Sequence, residues 1–224
     1  VYGFSVFNKP LTQLLGITQS ASGDWTIPQV GLIYSIALFI LGLSAALLGK
    51  WVERSGPRKT MVTSCLCFCG GLLISAVAVK LQNLWLLYLG YGVIGGIGLG
   101  LGYISPVSTL MKWFPDRPGM ASGMAIMGFG GGALIGAPLG VRLMELFRTP
   151  ASTGVASAFA AMAGLYAVCM LFGAALIRVP ADDWKPPAHS LNPTSIQTTH
   201  TSYVTADQAW KTPQFWCLWL VLCM

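Results

Sequence analysis

Five stretches of the chain, each of twenty residues or more, contain no Asp, Glu, Lys, Arg or His: 27–48, 60–79, 81–111, 119–141 and 151–177. A membrane-spanning helix needs about 20 predominantly apolar residues. Inside a bilayer the backbone must satisfy its own hydrogen bonds, and a helix does that within one segment. Each run therefore predicts one membrane-crossing helix. Composition agrees: 54% of the 224 residues are hydrophobic and 9% charged, against roughly 25% charged in soluble domains. A typical cytosolic enzyme, a disordered chain and a nucleic-acid binder are excluded. Two shorter runs, 1–7 and 215–224, read as the tail of a first helix and the opening of another. The expectation is a piece of a longer protein, cut inside a helix at each end.

Short polar connectors separate the runs. The second, fourth and sixth carry Lys50, Arg54, Arg58, Lys59, Lys112, Arg117, Arg178, Lys185 and Lys211. The other side carries Lys9, Lys80, Arg142 and Arg148. Nine basic residues against four put the even connectors in the cytoplasm. The net charge of +6 is then the basic face of a membrane protein that meets anionic lipid, with no nucleic acid required. Residues 178–212 are long, Pro-bearing and Ser/Thr-rich, which predicts a flexible cytoplasmic linker. The organisation expected is an all-α membrane protein: a helix bundle over 1–177, the linker over 178–212, and the start of a seventh helix over 213–224. A six-helix bundle followed by a long linker suggests a transporter of two halves, whose partner is the C-terminal half of the same polypeptide. The pattern taken alone also fits a channel or a receptor.

Several features point to chemistry and fail. Cys65, Cys67 and Cys69 sit at i, i+2 and i+4, a spacing that cannot aim three thiols at one point on a helix. No metal site follows, and with all six cysteines in apolar runs no disulfide framework is implied. Gly90-Tyr91-Gly92-Val93-Ile94-Gly95 matches G-x-G-x-x-G. A dinucleotide site would need a preceding strand and a later acid, and this segment is an uncharged span. Glycines there, and in Gly128-Phe129-Gly130-Gly131-Gly132, suit close approach of membrane helices. Both histidines, His189 and His200, fall in the linker. No catalytic arrangement lies in the spans, so neither enzyme nor cofactor is expected. Arg142 and Glu145, at i, i+3, read as a surface pair.

The connector 49–59 reads Gly-Lys-Trp-Val-Glu-Arg-Ser-Gly-Pro-Arg-Lys. It resembles the major facilitator superfamily signature between helices 2 and 3, G-x-x-x-D-R-x-G-R-R/K. Glu53 replaces the usual Asp, and Pro57 is inserted before the basic pair. Lys112-Trp113-Phe114-Pro115-Asp116-Arg117-Pro118-Gly119 and Thr212-Pro213-Gln214-Phe215-Trp216 resemble the helix 4–5 junction and the start of helix 7 in the oxalate/formate antiporter-like branch. Asn8-Lys9-Pro10-Leu11 resembles the end of its helix 1. The monocarboxylate transporters are similar too.

The resemblance implies a six-helix N-terminal bundle and transport of a small carboxylate by alternating access. It also implies roles. Gly49, Glu53, Arg54, Gly56, Arg58 and Lys59 match the conformational-switch loop. Helices 1, 4 and 5 of the branch box a small carboxylate with aromatic side chains; Tyr2, Tyr103 and Phe129 fall on those places, and Tyr34 on helix 2 is a further candidate. Each of these aromatics faces either a cavity or the bilayer interface. Phe129 lacks a hydroxyl that its counterpart can carry, and Val1 stands where a glutamine can precede the helix 1 aromatic. The branch carries its substrate-neutralising cations on helices 8 and 11. A proton-coupled monocarboxylate carrier and a non-transporting sensor are the competing readings. The cell membrane is the expected location, with the N-terminus and linker cytoplasmic.

Overall fold

The computed structural model describes residues 2–16, 21, 23–115, 117–150 and 152–180, Tyr2 by its backbone alone. The linker beyond Pro180 and the expected seventh helix lie outside them, as do Cys217, Cys223 and both histidines.

The described residues form one short helix and five long ones. A 3₁₀ turn over Tyr2–Phe4 leads into α1, Ser5–Leu11. Then come α2, Ile27–Ser55; α3, Pro57–Lys80; α4, Leu84–Trp113; α5, Pro118–Leu146; and α6, Val155–Leu176. All five long helices are long and apolar enough to cross a membrane. Their ends follow local chemistry. Thr26 and Gln29 form a reciprocal capping box at the start of α2, with Pro28 in the first turn, so two donors that a helix start leaves open are satisfied. Asn83 caps α4 by accepting from the Leu86 N–H at 3.2 Å. Pro57 and Pro118 open α3 and α5, where a missing N–H does no harm. Pro106 and Pro138 lie inside α4 and α5, and both helices run on through them.

The connectors are shorter than the charge pattern suggests. Residues 49–55 belong to α2, and α3 begins at Pro57, so the expected loop 49–59 is a one-residue turn at Gly56. Gly56 sits at φ 78°, a left-handed conformation that only glycine adopts without strain. The charged residues are helical because an aqueous helix end tolerates charge; loss of hydrophobicity marks the membrane surface, not the end of the helix. Arg142 and Glu145 are likewise on α5, 3.6 Å apart, which bears out the surface pair.

α3 is the centre of the bundle, packed on α6 and α4, while α4 also packs on α2. Lipid tails are as apolar as leucine, so close packing holds membrane helices together in place of burial from water. Glycine supplies the closeness. A Cβ on Gly98 would stand 2.5 Å from the Phe68 backbone nitrogen, and one on Gly71 would stand 2.5 Å from the Gly90 carbonyl oxygen. The Ser64 hydroxyl donates to the Gly98 carbonyl at 2.6 Å across this contact. Residues Tyr88–Gly95 of α4 are wound as a π-helix, a wider form that sequence periodicity does not announce. The glycines of α5 behave differently. Among the described residues nothing lies within 4 Å of a Cβ placed on Gly128, Gly130, Gly131 or Gly132. The close approach expected there is not made within this bundle: Gly128 and Gly132 border a cavity, and no described residue stands against Gly130 or Gly131.

Cys65 and Cys69 are buried with their sulfurs 3.9 Å apart, while Cys67 is only partly buried. Cys65 and Cys69 share one helix face and Cys67 falls on another, so the three thiols do not converge, as the helical spacing requires.

Candidate functional site

Inward-facing positions of α1, α3, α4 and α6 build an aromatic cluster. Phe4, Phe7 and Leu11 repeat at i, i+3, i+7 and are all buried, one face of the helix. The rings of Phe4 and Tyr91 have centroids 4.5 Å apart, those of Phe7 and Phe159 4.8 Å, and those of Phe68 and Tyr166 5.9 Å. Beside them lies a cavity of about 330 Å³, lined by Phe4, Tyr91, Phe129, Phe159 and Tyr166 among others. No residue of its lining carries a formal charge.

A second cavity, of about 320 Å³, opens between α4 and α5. Tyr103, Pro106, Met124, Gly128 and Phe129 line it. Gly128 and Phe129 belong to both cavities. Tyr103 meets the Phe129 ring edge to face, centroids 5.5 Å apart at 72°. Aromatic pairs favour this arrangement.

The structure thus brings two of the four expected site aromatics together, Tyr103 and Phe129. Tyr34 is partly buried against the hydrophobic core and lines neither cavity. The Tyr2 side chain lies outside the described residues. Sequence reasoning passed over Phe4, Phe7, Tyr91, Phe159 and Tyr166. Only the i, i+3, i+7 spacing of Phe4, Phe7 and Leu11 signals an inward face; the others sit in helices apolar all round, where periodicity carries no direction. The lining offers tyrosine hydroxyls as donors and ring edges of positive potential, suited to hold a carboxylate. It has no cation to neutralise one.

At the opposite end from the α1–α2 loop, Arg58 Nε donates to the Ile177 carbonyl at 3.1 Å, and Trp113 Nε1 to the Arg178 carbonyl at 2.9 Å. The start of α3 and the end of α4 thereby hold the chain as it leaves α6. Gly49 lies within α2, Glu53 and Arg54 are exposed on its last turn, and Lys59 is exposed in the first turn of α3.

Comparison with known proteins adds the lineage. The chain is 29% identical to an uncharacterized MFS-type transporter, YhjX, of Escherichia coli (strain K12), over all of this chain and 50% of that protein. It is 24% identical to the oxalate:formate antiporter of Oxalobacter formigenes, over 97% of this chain and 46% of that one. A 96-residue segment, 43% of this chain and 18% of the relative, is 35% identical to monocarboxylate transporter 9 of Gallus gallus. The chain spans about half the length of the first two relatives. These relatives are transporters and not enzymes. The model of the Major Facilitator Superfamily matches residues 2–224. With five apolar spanning helices and this match over nearly its whole length, the chain is an integral multi-pass membrane protein that belongs to the major facilitator superfamily.

Proposed function

We propose that the chain is the N-terminal bundle of a carrier for a small organic anion, a carboxylate such as oxalate, formate or a monocarboxylate. The anion crosses by exchange or facilitated passage as two halves rock about a central site. The observation that supports this best is the Tyr103–Phe129 pair, which lines a cavity between α4 and α5. An aromatic wall with a phenol can donate to a carboxylate while excluding water. In this reading the C-terminal half supplies the neutralising cations. Gly49, Glu53, Arg54, Gly56, Arg58 and Lys59 form the switch at the cytoplasmic end, with Gly56 as its turn. The six-helix bundle ends near residue 177, the linker runs over 178–212, and a seventh helix starts at 213. The protein sits in the cell membrane with its N-terminus and linker in the cytoplasm.

Likeness to a monocarboxylate transporter supports a second reading, proton-coupled carriage. No acidic residue falls in the five uncharged runs, so that mechanism needs its proton-binding group elsewhere. Reconstitution decides. The intact transporter in liposomes should take up labelled oxalate, formate or pyruvate, faster into vesicles preloaded with a second carboxylate. Acceleration by an inward proton gradient alone would favour the second reading. No uptake of any of the three would overturn the anion reading and leave a sensor role.

A further inference from the structure

A third cleft, of about 280 Å³, lies between the end of α1 and the end of α5. Val6, Lys9, Gln13, Val141, Glu145 and Arg148 are among its lining. It is at the opposite end of the bundle from Gly56 and Trp113, by the up-and-down order of the helices. Its walls are apolar and its rim is charged. Lys9 and Arg148 are exposed, and among the described residues neither has an ion-pair partner. Glu145 is the one carboxylate in the lining. It faces Arg142 at 3.6 Å, with the two side chains 84% and 62% exposed. Counting Arg142, three cations meet one carboxylate, and the rim keeps a net positive charge of two.

A cleft with apolar walls and a net charge of one sign focuses field and raises the local concentration of ions of the other sign. An arginine offers a planar fork that matches a carboxylate, and a lysine adds a mobile point charge. Cations near helix C-termini also complement the helix dipole. That alone does not explain the cleft, because Glu145 in the last turn of α5 has the wrong sign for it. We propose that this cleft is an outer encounter site. There Lys9 and Arg148 hold a small carboxylate before it passes to the aromatic cavities. The proposal rests on the anion-carrier reading above.

The test uses the intact transporter in liposomes, with labelled oxalate added outside, at ionic strengths of about 0.01 M and about 1 M. Over that range the screening length falls from roughly 30 Å to roughly 3 Å. At low salt the double variant Lys9→Gln/Arg148→Gln should raise KM about three- to tenfold with kcat unchanged, a modest share of what field focusing supplies. The difference should vanish at high salt. Glu145→Gln should lower KM at low salt, a gain that no folding defect produces. Lys80→Gln, on the same side but outside the cleft, should change nothing. Oxalate binding to the detergent-solubilised protein, followed by 13C NMR, separates the two claims. Uptake that proceeds with unchanged KM in the double variant overturns the encounter site and leaves the carrier reading standing. Binding that weakens in the double variant without uptake in the parent supports the site and overturns the carrier reading. A KM rise that persists at high salt, with a lowered melting temperature, overturns the site in favour of helix capping.

Discussion

The Tyr103 ring meets the Phe129 ring edge to face, with centroids 5.5 Å apart, although 26 positions separate them in the chain. The contact joins α4 to α5 at the level of Pro106, where both rings line one cavity. A second tyrosine of α4 is used differently. The Tyr88 hydroxyl donates to the Gln29 carbonyl at 3.0 Å and ties the start of α4 to the start of α2.

The two tyrosines should therefore respond differently to truncation. In the intact transporter Tyr103→Ala should weaken carboxylate affinity about ten- to a hundredfold, the loss of a hydrogen bond to a charged group of roughly 1.5–3 kcal/mol. Tyr103→Phe should keep the ring contact and lose the bond. Tyr88→Ala should leave KM alone and lower stability, by about 1 kcal/mol for the ordinary hydrogen bond and further for the lost packing of its ring against the core. Uptake kinetics and melting in detergent measure both. Equal small effects at the two positions would remove Tyr103 from the site.

Glycine substitutions separate packed from open faces. Gly98→Leu places side-chain atoms where the Phe68 backbone already stands and should destabilise by about 1–3 kcal/mol or more, as overpacking does. Gly130→Ala meets open space in this bundle and should leave its stability within about 1 kcal/mol. Monodisperse elution and melting temperature report the outcome. A well-folded Gly98→Leu protein would show that α3 and α4 are not pressed together.

Orientation is open to direct labelling. Lys59 is exposed next to the Gly56 turn, so Lys59→Cys avoids the strain that a side chain at Gly56 would introduce. A membrane-impermeant thiol reagent should modify it in inverted vesicles and not on intact cells. Labelling from outside would reverse the orientation drawn from the nine-to-four basic bias.

The α1–α2 loop should be acid-sensitive. The Asp24 carboxylate accepts the backbone N–H of Leu15 at 2.7 Å, of Ala21 at 2.8 Å and of Gly16 at 3.3 Å. Slight burial raises its pKa, but these backbone bonds outweigh it and hold the group below the ordinary carboxylate value. Folded loop then binds fewer protons than unfolded chain. Its carboxylate contribution is complete above the ordinary value and is lost as the pH falls through the lower folded one. Limited proteolysis across the pH range should show protection of the loop failing only in strong acid. Asp24→Asn should lose that protection at neutral pH; a protected Asn variant would mean that the carboxylate does not hold the loop.

The spans, their number and their order were legible in the sequence, because the bilayer admits only segments that are long, uncharged and helical. The Gly56 turn was legible for a similar reason: a glycine followed by proline and flanked by charge leaves few conformations. Tertiary structure decided which faces of those helices look inward. In α6, apolar on every side, nothing in the sequence distinguishes Phe159 and Tyr166, which line the cavity, from Phe172, exposed on the same helix. Where lipid and protein are equally apolar, hydrophobicity has no gradient to read, and shape alone chooses the contact. The same reasoning explains the glycines. Gly98 and Gly130 look alike in sequence, yet one is pressed on Phe68 and the other meets no described neighbour. That difference depends on the partner helix, which a local pattern does not contain.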